Sequence, residues 1–459
     1  MGDSVIKVMY LLLLIFTVLV LIKEIRENKN LLRVVFFAAF ILYYIFTPTL
    51  LECFSGKLES YQTPYLIICE KATDGDKFRT FLITLFVTAL LIVLKRYKIV
   101  FGKNRKRIYY ENFGVEQADY KYLDQSIYKT GIVFLIIGGM ALFVLIFELG
   151  GLQQMLSLGS VIRGYISDNT EYLSSVGSIC KTLSVFVTGS FFCLYASSKR
   201  HKRHKILMII SLMLSIIYLL FNAGRSSLLV FFGCIFFAFV KEHGRKVVWL
   251  VAVGFLAVVL LSSSIEVVMN NISRGLPAFA SLEYNMTDNL LSTVTDLAYP
   301  YANLLALPQM IARAGYNYGI DYILWFSEVI PKRLFDFVWN IIPLNTLVTT
   351  KISQFYITSN LSMGGTPADY ITYGWFQGGI IGLLINCLIY DIIIKTIDRS
   401  IGVLPKQYSI IRYRICFFMY SLVTSNDFPL MIKGNLFLLI MIIVIYRSIR
   451  KTAGVKYKT

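Results

Sequence analysis

Hydrophobic runs long enough to cross a membrane recur along almost the whole chain, and short polar segments separate them. We predict spans near residues 5–22, 34–51, 78–94, 131–147, 176–198, 206–221, 226–240, 247–264, 371–393, 411–425 and 435–446. Each run approaches the roughly 20 apolar residues that a bilayer core requires. The pattern predicts an all-α integral membrane protein, a polytopic bundle of about 11 transmembrane helices.

The composition agrees with this fold class. Of the 459 residues, 56% are hydrophobic and only 16% are charged, which is more apolar surface than a soluble domain of this size carries. The net charge of +18 could indicate nucleic-acid binding. The basic residues, however, fall in short segments between apolar runs, as membrane topology requires. We therefore expect membrane lipid around the chain and no nucleic-acid partner.

The basic residues also predict an orientation. Alternate loops hold 31 of the 45 Lys and Arg residues, in segments 23–33, 95–130, 199–205, 241–246, 394–414 and 447–459. The positive-inside rule assigns these loops to the cytoplasm, with the N-terminus outside and the C-terminus inside. The chain then divides into eight spans with short loops (1–264), one large helical outer loop (265–370), and three spans with a basic tail (371–459).

The large outer loop contains two moderately apolar stretches, 297–312 and 322–343, which prolines interrupt. They could form interfacial helices, re-entrant segments or a short pair of spans. Charged residues within the second stretch favour interfacial helices. The loop is also rich in aromatic residues, which suit both sugar rings and the membrane interface. They include Tyr284, Tyr299, Tyr301, Tyr316, Tyr318, Tyr322, Trp325, Trp339 and Tyr356.

Cysteine and histidine narrow the possible chemistry. Cys53 and Cys69 share the first outer loop, where a disulfide and two free thiols are both open alternatives. All three histidines fall in predicted cytoplasmic loops, which excludes a histidine base or a histidine-bound metal on the outer face. The chain has no Walker phosphate loop and no dinucleotide fingerprint. Nothing in the sequence requires a metal or another cofactor.

Four arginines are candidate ligands for an anion at the outer side. Arg225 follows Asn222 at a tight turn between apolar runs of 16 and 15 residues. A 15-residue helix rises only about 22 Å, less than the roughly 30 Å hydrocarbon core, so we predict a recessed turn. A guanidinium there is costly unless it meets an anion, and its planar fork suits a diphosphate. Arg163, Arg274 and Arg313 lie in other outer segments and could reach the same depth.

A second candidate site is the glycine-rich stretch 364–379, which surrounds Asp369. We predict that Asp369 lies near the outer mouth of the span 371–393. Tyr370 and Tyr373 are three residues apart and would share one helix face. Helix entry and small-residue packing are an alternative explanation for the whole stretch. The spans themselves are nearly free of charge, with Lys181 and Glu148 near outer ends as the closest exceptions.

These features together resemble one family. The 222–227 turn between apolar runs, the long outer loop and the 364–378 entry to a span are similar to the O-antigen and capsular repeat-unit polymerases (Wzy-type). Asp369 stands where that family often has Glu, which keeps the carboxylate but shortens its reach. The resemblance covers most of the chain in outline.

The resemblance implies a membrane glycosyltransferase with a GT-C-like fold in the bacterial inner membrane. Such an enzyme transfers a growing glycan from undecaprenyl diphosphate to a new lipid-linked repeat unit at the periplasmic face, without a cofactor or metal. Its partners would be the undecaprenyl-diphosphate-linked glycans, membrane lipid, a chain-length regulator and a flippase.

The expected roles follow from the chemistry of the transfer, which needs stabilisation of the leaving diphosphate and a base for the attacking hydroxyl. Arg225, with Arg163 and Arg274, would stabilise the diphosphate. Asp369 is the preferred base, and the alternatives are Glu283, Asp288 and Asp296. The expected substrate-binding residues are Arg313, Tyr370, Tyr373 and Asn222.

Other functions stay open at this point. An O-antigen ligase would use the same lipid-diphosphate donor, although the outer-loop histidine expected there is missing. A lipid-linked oligosaccharide flippase would need charged residues along a passage through its spans. An inert scaffold is a third alternative.

Overall fold

The computed structural model describes most of the chain, with gaps. It covers residues 3–27, 31–58, 63–96, 121–164, 173–199, 204–222, 225–243, 271, 295, 297–323, 325, 347–361, 365–401, 404 and 408–455. Every regular element in these ranges is helical. The predicted all-α class is therefore confirmed for the described residues.

The first half of the chain forms helices α1 to α11. They are α1 (Asp3–Arg26), α2 (Leu31–Ile41), α3 (Thr47–Leu58), α4 (Pro64–Lys71), α5 (Asp74–Arg96), α6 (Lys121–Glu148), α7 (Leu152–Gly164), α8 (Ser175–Leu183), α9 (Phe186–Ser198), α10 (His204–Asn222) and α11 (Arg225–His243). A π-helical turn (Leu42–Phe46) joins α2 to α3. Such turns insert an extra residue into a helix and are frequent at functional sites.

The second half begins with a buried helix and ends with a broken one. Its helices are α12 (Tyr299–Ala314), α13 (Ile320–Ile323), α14 (Val348–Thr358), α15 (Tyr370–Phe376), α16 (Gly379–Ile401), α17 (Ser409–Thr424), α18 (Phe428–Gly434) and α19 (Leu436–Val455). The axes of α18 and α19 differ by 72°.

Seven of the described helices are long and apolar enough to cross a membrane. They are Ser4–Arg26, Leu31–Phe54, Asp74–Leu94, Tyr122–Glu148, Ser175–Ser198, His204–Asn222 and Gly379–Asp398. The bent pair α18–α19 adds an eighth if it counts as one span. The chain is thus a multi-pass helical protein with the composition of a membrane protein.

Three further predicted spans are helical but shorter or broken, and one lies outside the described residues. The helix α11 contributes a shorter apolar segment, Val230–Val240 of the described residues, and α17 has 16 residues. The run 435–446 belongs to the bent pair, and 247–264 is outside the described residues. The described residues contain seven or eight candidate spans, which neither confirms nor excludes the predicted total of about 11.

The predicted span 371–393 begins too early. Gly379–Asp398 is long and apolar enough to cross a membrane, whereas Tyr370–Phe376 is a separate helix that forms a hairpin with it. The α15 helix runs antiparallel to α16: the Tyr370 and Tyr390 rings are 5.6 Å apart, and the Asn386 amide donates to the Tyr370 carbonyl at 3.1 Å. Gly378 (φ 132°) and Gly379 (φ 66°) make the turn, in a region of φ that favours glycine. Asp369 therefore lies beside the middle of α16, about 10 Å along that helix from its first residue, rather than at its mouth.

The stretch 297–312 forms a buried helix rather than the predicted interfacial one. All residues of α12 from Tyr299 to Leu307 are buried. The helix packs against α4, α5, α14, α15 and the π turn, and it brings Asn303 into the interior. The stretch 322–343 lies almost entirely outside the described residues, so its predicted form is untested.

The expectation of nearly charge-free spans is also wrong. Asp391, thirteen residues into α16, pairs with Arg33 at 3.3 Å and with Lys395 at 2.5 Å. Lys77 pairs with the buried carboxylate of Glu52 at 2.9 Å. Such pairing offsets part of the high cost of burying ions.

Cys53 and Cys69 are free thiols, so the disulfide alternative is not adopted. The Cys69 side chain is buried in the core, whereas Cys53 is exposed. The five other cysteines are buried, as their predicted packing role requires.

The close packing within the hairpin predicts that a side chain at Gly382 lowers the stability of the protein. A Cβ at this position would lie 2.5 Å from the Gln377 carbonyl carbon and 2.6 Å from the Gly374 oxygen, both backbone atoms. We expect Gly382→Ala to cost about 1–3 kcal/mol by overpacking and to lower the melting temperature of the purified protein in detergent. Gly434→Ala is the control, because no atom lies within 4 Å of a Cβ there. Equal melting temperatures for the two variants would contradict the hairpin contact.

Candidate functional site

Asp369 is the centre of a fully buried polar network. Its Oδ1 accepts hydrogen bonds from the Tyr44 hydroxyl at 2.5 Å and from the Thr372 amide at 3.1 Å. Its Oδ2 accepts from Asn303 Nδ2 at 2.9 Å, and Asn303 Oδ1 in turn accepts from the Tyr356 hydroxyl at 3.0 Å. The carboxylate thus caps the N-terminus of α15 and joins it to the π turn, α12 and α14.

The network leaves Asp369 with little access to a substrate. Burial raises the pKa of its carboxyl group, and the hydrogen bonds from Tyr44, Asn303 and Thr372 oppose that rise. A sugar hydroxyl can approach the carboxylate only by replacing one of these donors. The base role of Asp369 stays a prediction, and its observed role is to hold four elements together.

Tyr370 and Tyr373 pack within the core, away from solvent. The Tyr370 ring lies edge-on to Phe36 at 5.3 Å, and the Tyr373 ring lies edge-on to Tyr322 at 5.7 Å. Both side chains are 0% exposed. Both rings help to build the hairpin, and their substrate-binding role stays a prediction.

A second turn meets the Asp369 network from the other side. Residues 425–427 link α17 to α18, and the Asn426 amide donates to the Ala368 carbonyl at 2.7 Å. The adjacent Asp427 is also buried, and its Oδ2 accepts from the Thr349 amide at 3.0 Å. Asp427 is not among the site residues predicted from the sequence. Its signal is an Asp directly before Phe428-Pro429, because a carboxylate followed by proline is typical of a helix start.

The pairing of α11 with α17 places Arg225 at the depth of these turns. Gly233 of α11 lies against Phe417, and Phe237 lies against Tyr413, so the helices run antiparallel. Arg225 precedes Gly233 by eight residues, or about 12 Å of helix. If the same antiparallel pairing continues toward the N-terminus of α11, the first residue of α11 lies level with the end of α17, next to the 425–427 turn.

Arg163 lies at this same end of the bundle. A Cβ at Gly159 of α7 would lie 2.1 Å from the Phe221 carbonyl oxygen, so α7 touches the last turn of α10. Arg163 follows Gly159 by one helical turn, and the Lys181 ammonium donates to the neighbouring Ile162 carbonyl at 3.1 Å. For Arg163 and Arg225 this placement rests on the backbone. Arg163, Lys181 and Arg225 therefore lie around the C-terminal end of α10.

Asn222 spans the turn rather than projecting from it. It is the last residue of α10, and its Nδ2 donates to Ser227 Oγ of α11 at 3.3 Å. Both helices have 19 residues, and most of the polar residues that lengthen them lie at the end away from the turn: His204 and Lys205 in α10, and 241–243 in α11. The apolar part of α10 still spans 206–221, as the recessed turn requires.

Arg313 belongs to a different part of the molecule. It ends α12, donates to Thr358 Oγ1 and Ser359 Oγ at 3.3 Å, and lies over the Phe355 ring at 5.1 Å. The helix α12 packs against α14 and α15, whereas α7 packs against α6 and α10. The structure thus groups Arg163 with Arg225 and separates Arg313 from them.

The other predicted residues lie outside the described part of the chain. They are Arg274, Glu283, Asp288 and Asp296. Their predicted roles are untested.

Comparison with models of protein families, with curated proteins and with solved structures returns no match.

The Asp369 network predicts that the hydroxyl of Tyr44 contributes more to the free energy of unfolding than the hydroxyl of the neighbouring Tyr43. Tyr44→Phe removes the hydroxyl that donates to Asp369 and accepts from the Ile371 amide at 3.0 Å. We expect it to lower the free energy of unfolding by about 1–3 kcal/mol, because buried polar groups lose their partner. Tyr43→Phe removes a hydroxyl that pairs with the neutral hydroxyl of Tyr420, so we expect a smaller loss, about 1 kcal/mol. Thermal unfolding in detergent measures both, and a larger loss for Tyr43→Phe would contradict the network.

Proposed function

We propose that this chain polymerises undecaprenyl-diphosphate-linked oligosaccharide repeat units into O-antigen or capsular polysaccharide at the periplasmic face of the inner membrane. One observation carries the proposal: buried carboxylates and the cationic start of α11 lie at one depth, inside an apolar helical bundle. Asp369 and Asp427 supply the carboxylates, and Arg225 begins α11. Broken helices that carry polar groups into a membrane bundle are typical of substrate sites.

The proposed reaction is a substitution at the anomeric carbon of the growing glycan. A hydroxyl oxygen of the incoming repeat unit forms the new bond to that carbon, and the bond to the diphosphate oxygen breaks. The hydroxyl proton goes to a carboxylate, and the leaving diphosphate keeps the electron pair. No nucleotide donor, metal or redox partner enters this balance.

Arginine suits the leaving group. A guanidinium binds two phosphate oxygens at once, and its charge stays fixed at any physiological pH. Arg225 and Arg163 share one helix end, and the N-terminus of α11 adds its backbone N–H groups and dipole. In the proposal, Arg274 is the third cation that stabilises the diphosphate.

The carboxylate that accepts the proton is Asp369 in the proposal, and Asp427 is the nearest alternative. The two residues flank one contact, between Asn426 and Ala368. A conformational opening that exchanges the Tyr44 or Asn303 hydrogen bond for one from the sugar would give Asp369 access. The GT-C-like architecture, the outer location of this end and a total of about 11 spans belong to the same proposal.

Deletion of the gene tests the function. We expect a surface glycan of one repeat unit on lipid A core, because ligation continues while chain growth stops. Loss of all surface glycan would instead indicate a flippase or a ligase. Long chains of normal length would exclude the proposal.

Arg225 gives a residue-level prediction. Arg225→Ala should abolish long glycan chains without lowering protein abundance in the membrane, because the leaving diphosphate loses its bidentate partner. Arg225→Lys should restore short chains only, since an ammonium keeps the charge without the fork. Arg412→Ala is the control, because this half-buried arginine of α17 lies far from Thr424 along that helix. Gel analysis of the surface glycan measures all three, and full-length chains in Arg225→Ala would exclude Arg225 from the mechanism.

A further inference from the structure

A five-residue loop, Gly315–Gly319, presents two tyrosines beside the turn of the α15–α16 hairpin. Tyr318 has a positive φ of 50° and is 76% exposed. Gly315 and Gly319 on either side have φ values of 67° and 79°. Glycine adopts this region freely, whereas a bulky side chain is held there only by its surroundings. The loop therefore displays an aromatic ring at the surface at a cost in backbone energy.

The buried residue between the two tyrosines fixes the loop. The Asn317 amide N–H donates to the Phe376 carbonyl at 2.8 Å, and its Nδ2 donates to Asp321 Oδ2, also at 2.8 Å. Gln377 Nε2 donates to the same Asp321 oxygen at 2.8 Å. The Lys351 ammonium donates to Asn317 Oδ1. These contacts determine the backbone around Tyr318 from both sides.

Burial of this anchor has an electrostatic consequence. It raises the pKa of Asp321 and lowers that of Lys351, while their opposite charges counteract both shifts. The anchor thus holds polar groups out of water and positions a loop whose Tyr318 side chain is exposed.

Tyr316 and Tyr318 form the tyrosine platform, as we name this pair. Their ring centroids are 5.8 Å apart with an angle of 58° between the planes. The Tyr316 hydroxyl lies against the hairpin turn, 3.8 Å from a Cβ placed at Gly379. The two rings therefore stand together on a rigid support.

We propose that the tyrosine platform binds a sugar ring of the glycan. A tyrosine offers a flat apolar face and a polar tip, which matches the C–H face and the hydroxyl groups of a sugar. The helix α15 separates this loop from Asp369 and is about 10 Å long, so the bound sugar lies outside the reaction centre. That the glycan is the lipid-linked repeat unit rests on the proposed function.

Exposed tyrosines also commonly anchor a protein at the membrane interface. An interfacial anchor needs only an amphipathic ring at the right depth. It needs neither a strained backbone nor a buried anchor such as Asn317. The observations therefore favour a bound sugar, and the interfacial role becomes an outcome of the test.

The test compares Tyr318→Asn with Tyr318→Phe in the full-length protein in lipid nanodiscs. The probe is the oligosaccharide that mild acid releases from the host's lipid-linked glycan pool, and isothermal titration measures its affinity. We expect Tyr318→Asn to weaken binding roughly tenfold, or about 1.4 kcal/mol, because the ring is lost. Its melting temperature should be equal to or above that of the wild type, since Asn tolerates positive φ. Tyr318→Phe should bind within about twofold of the wild type, or about 0.4 kcal/mol.

Two results would overturn the platform. One is a wild-type protein that does not bind the oligosaccharide, and the other is a Tyr318→Asn variant that binds as tightly as the wild type. Tyr446→Ala, at an exposed tyrosine of α19, is the control and should bind normally. Binding requires no turnover, so loss of affinity in Tyr318→Asn supports the platform even if gene deletion leaves long chains intact.

Discussion

The burial of one carboxylate, Asp369, is the constraint on which the interior of this protein depends. Several helices stop inside the bundle near this residue: α15 begins there, α17 ends there, and the π turn interrupts the path from α2 to α3. Helix ends expose backbone groups that need partners, and an apolar interior supplies no water for them. Asp369 accepts from the first turn of α15, and Tyr44 and Asn303 donate to the same carboxylate. The broken helices are stable because these few side chains replace the missing water.

This arrangement has a consequence for chemistry. A polar site within an apolar bundle strengthens every electrostatic interaction that it contains, because little water screens it. The same burial closes the site, since each hydrogen bond that holds Asp369 also blocks an incoming hydroxyl. Under the proposed function, binding of a substrate therefore requires opening of the network. The cations at the end of α10 lie at the level of the 425–427 turn, where an opening of that turn would connect them to the carboxylates.

The sequence predicted the parts of this structure that depend on composition and local spacing. Apolar length alone located the seven spans, because crossing a bilayer requires little beyond about 20 apolar residues. Hydropathy could not detect the chain reversal at Gly378, since a hairpin of apolar helices has the same composition as one span. It also could not pair Tyr44 with Asp369, because 325 residues separate them and no local pattern marks the contact. Arg163 and Arg225 were expected at one depth, and the contact of Gly159 with Phe221 supports their proximity.

The buried charges also bear on whether a protein of this kind holds a substrate at one fixed site or moves it along a passage through its spans. Charged residues within spans are costly, pair with one another and commonly mark functional sites. Asp391 is paired with Arg33 and Lys395, and the Glu52 carboxylate is paired with Lys77. Each of these groups meets an opposite charge from the same bundle, so burial of the pair replaces hydration by a fixed partner. Ions held in this way fix the helices against one another, because removing either partner would leave an uncompensated buried charge. The proposed function accordingly uses the polar groups at the helix ends and not these pairs.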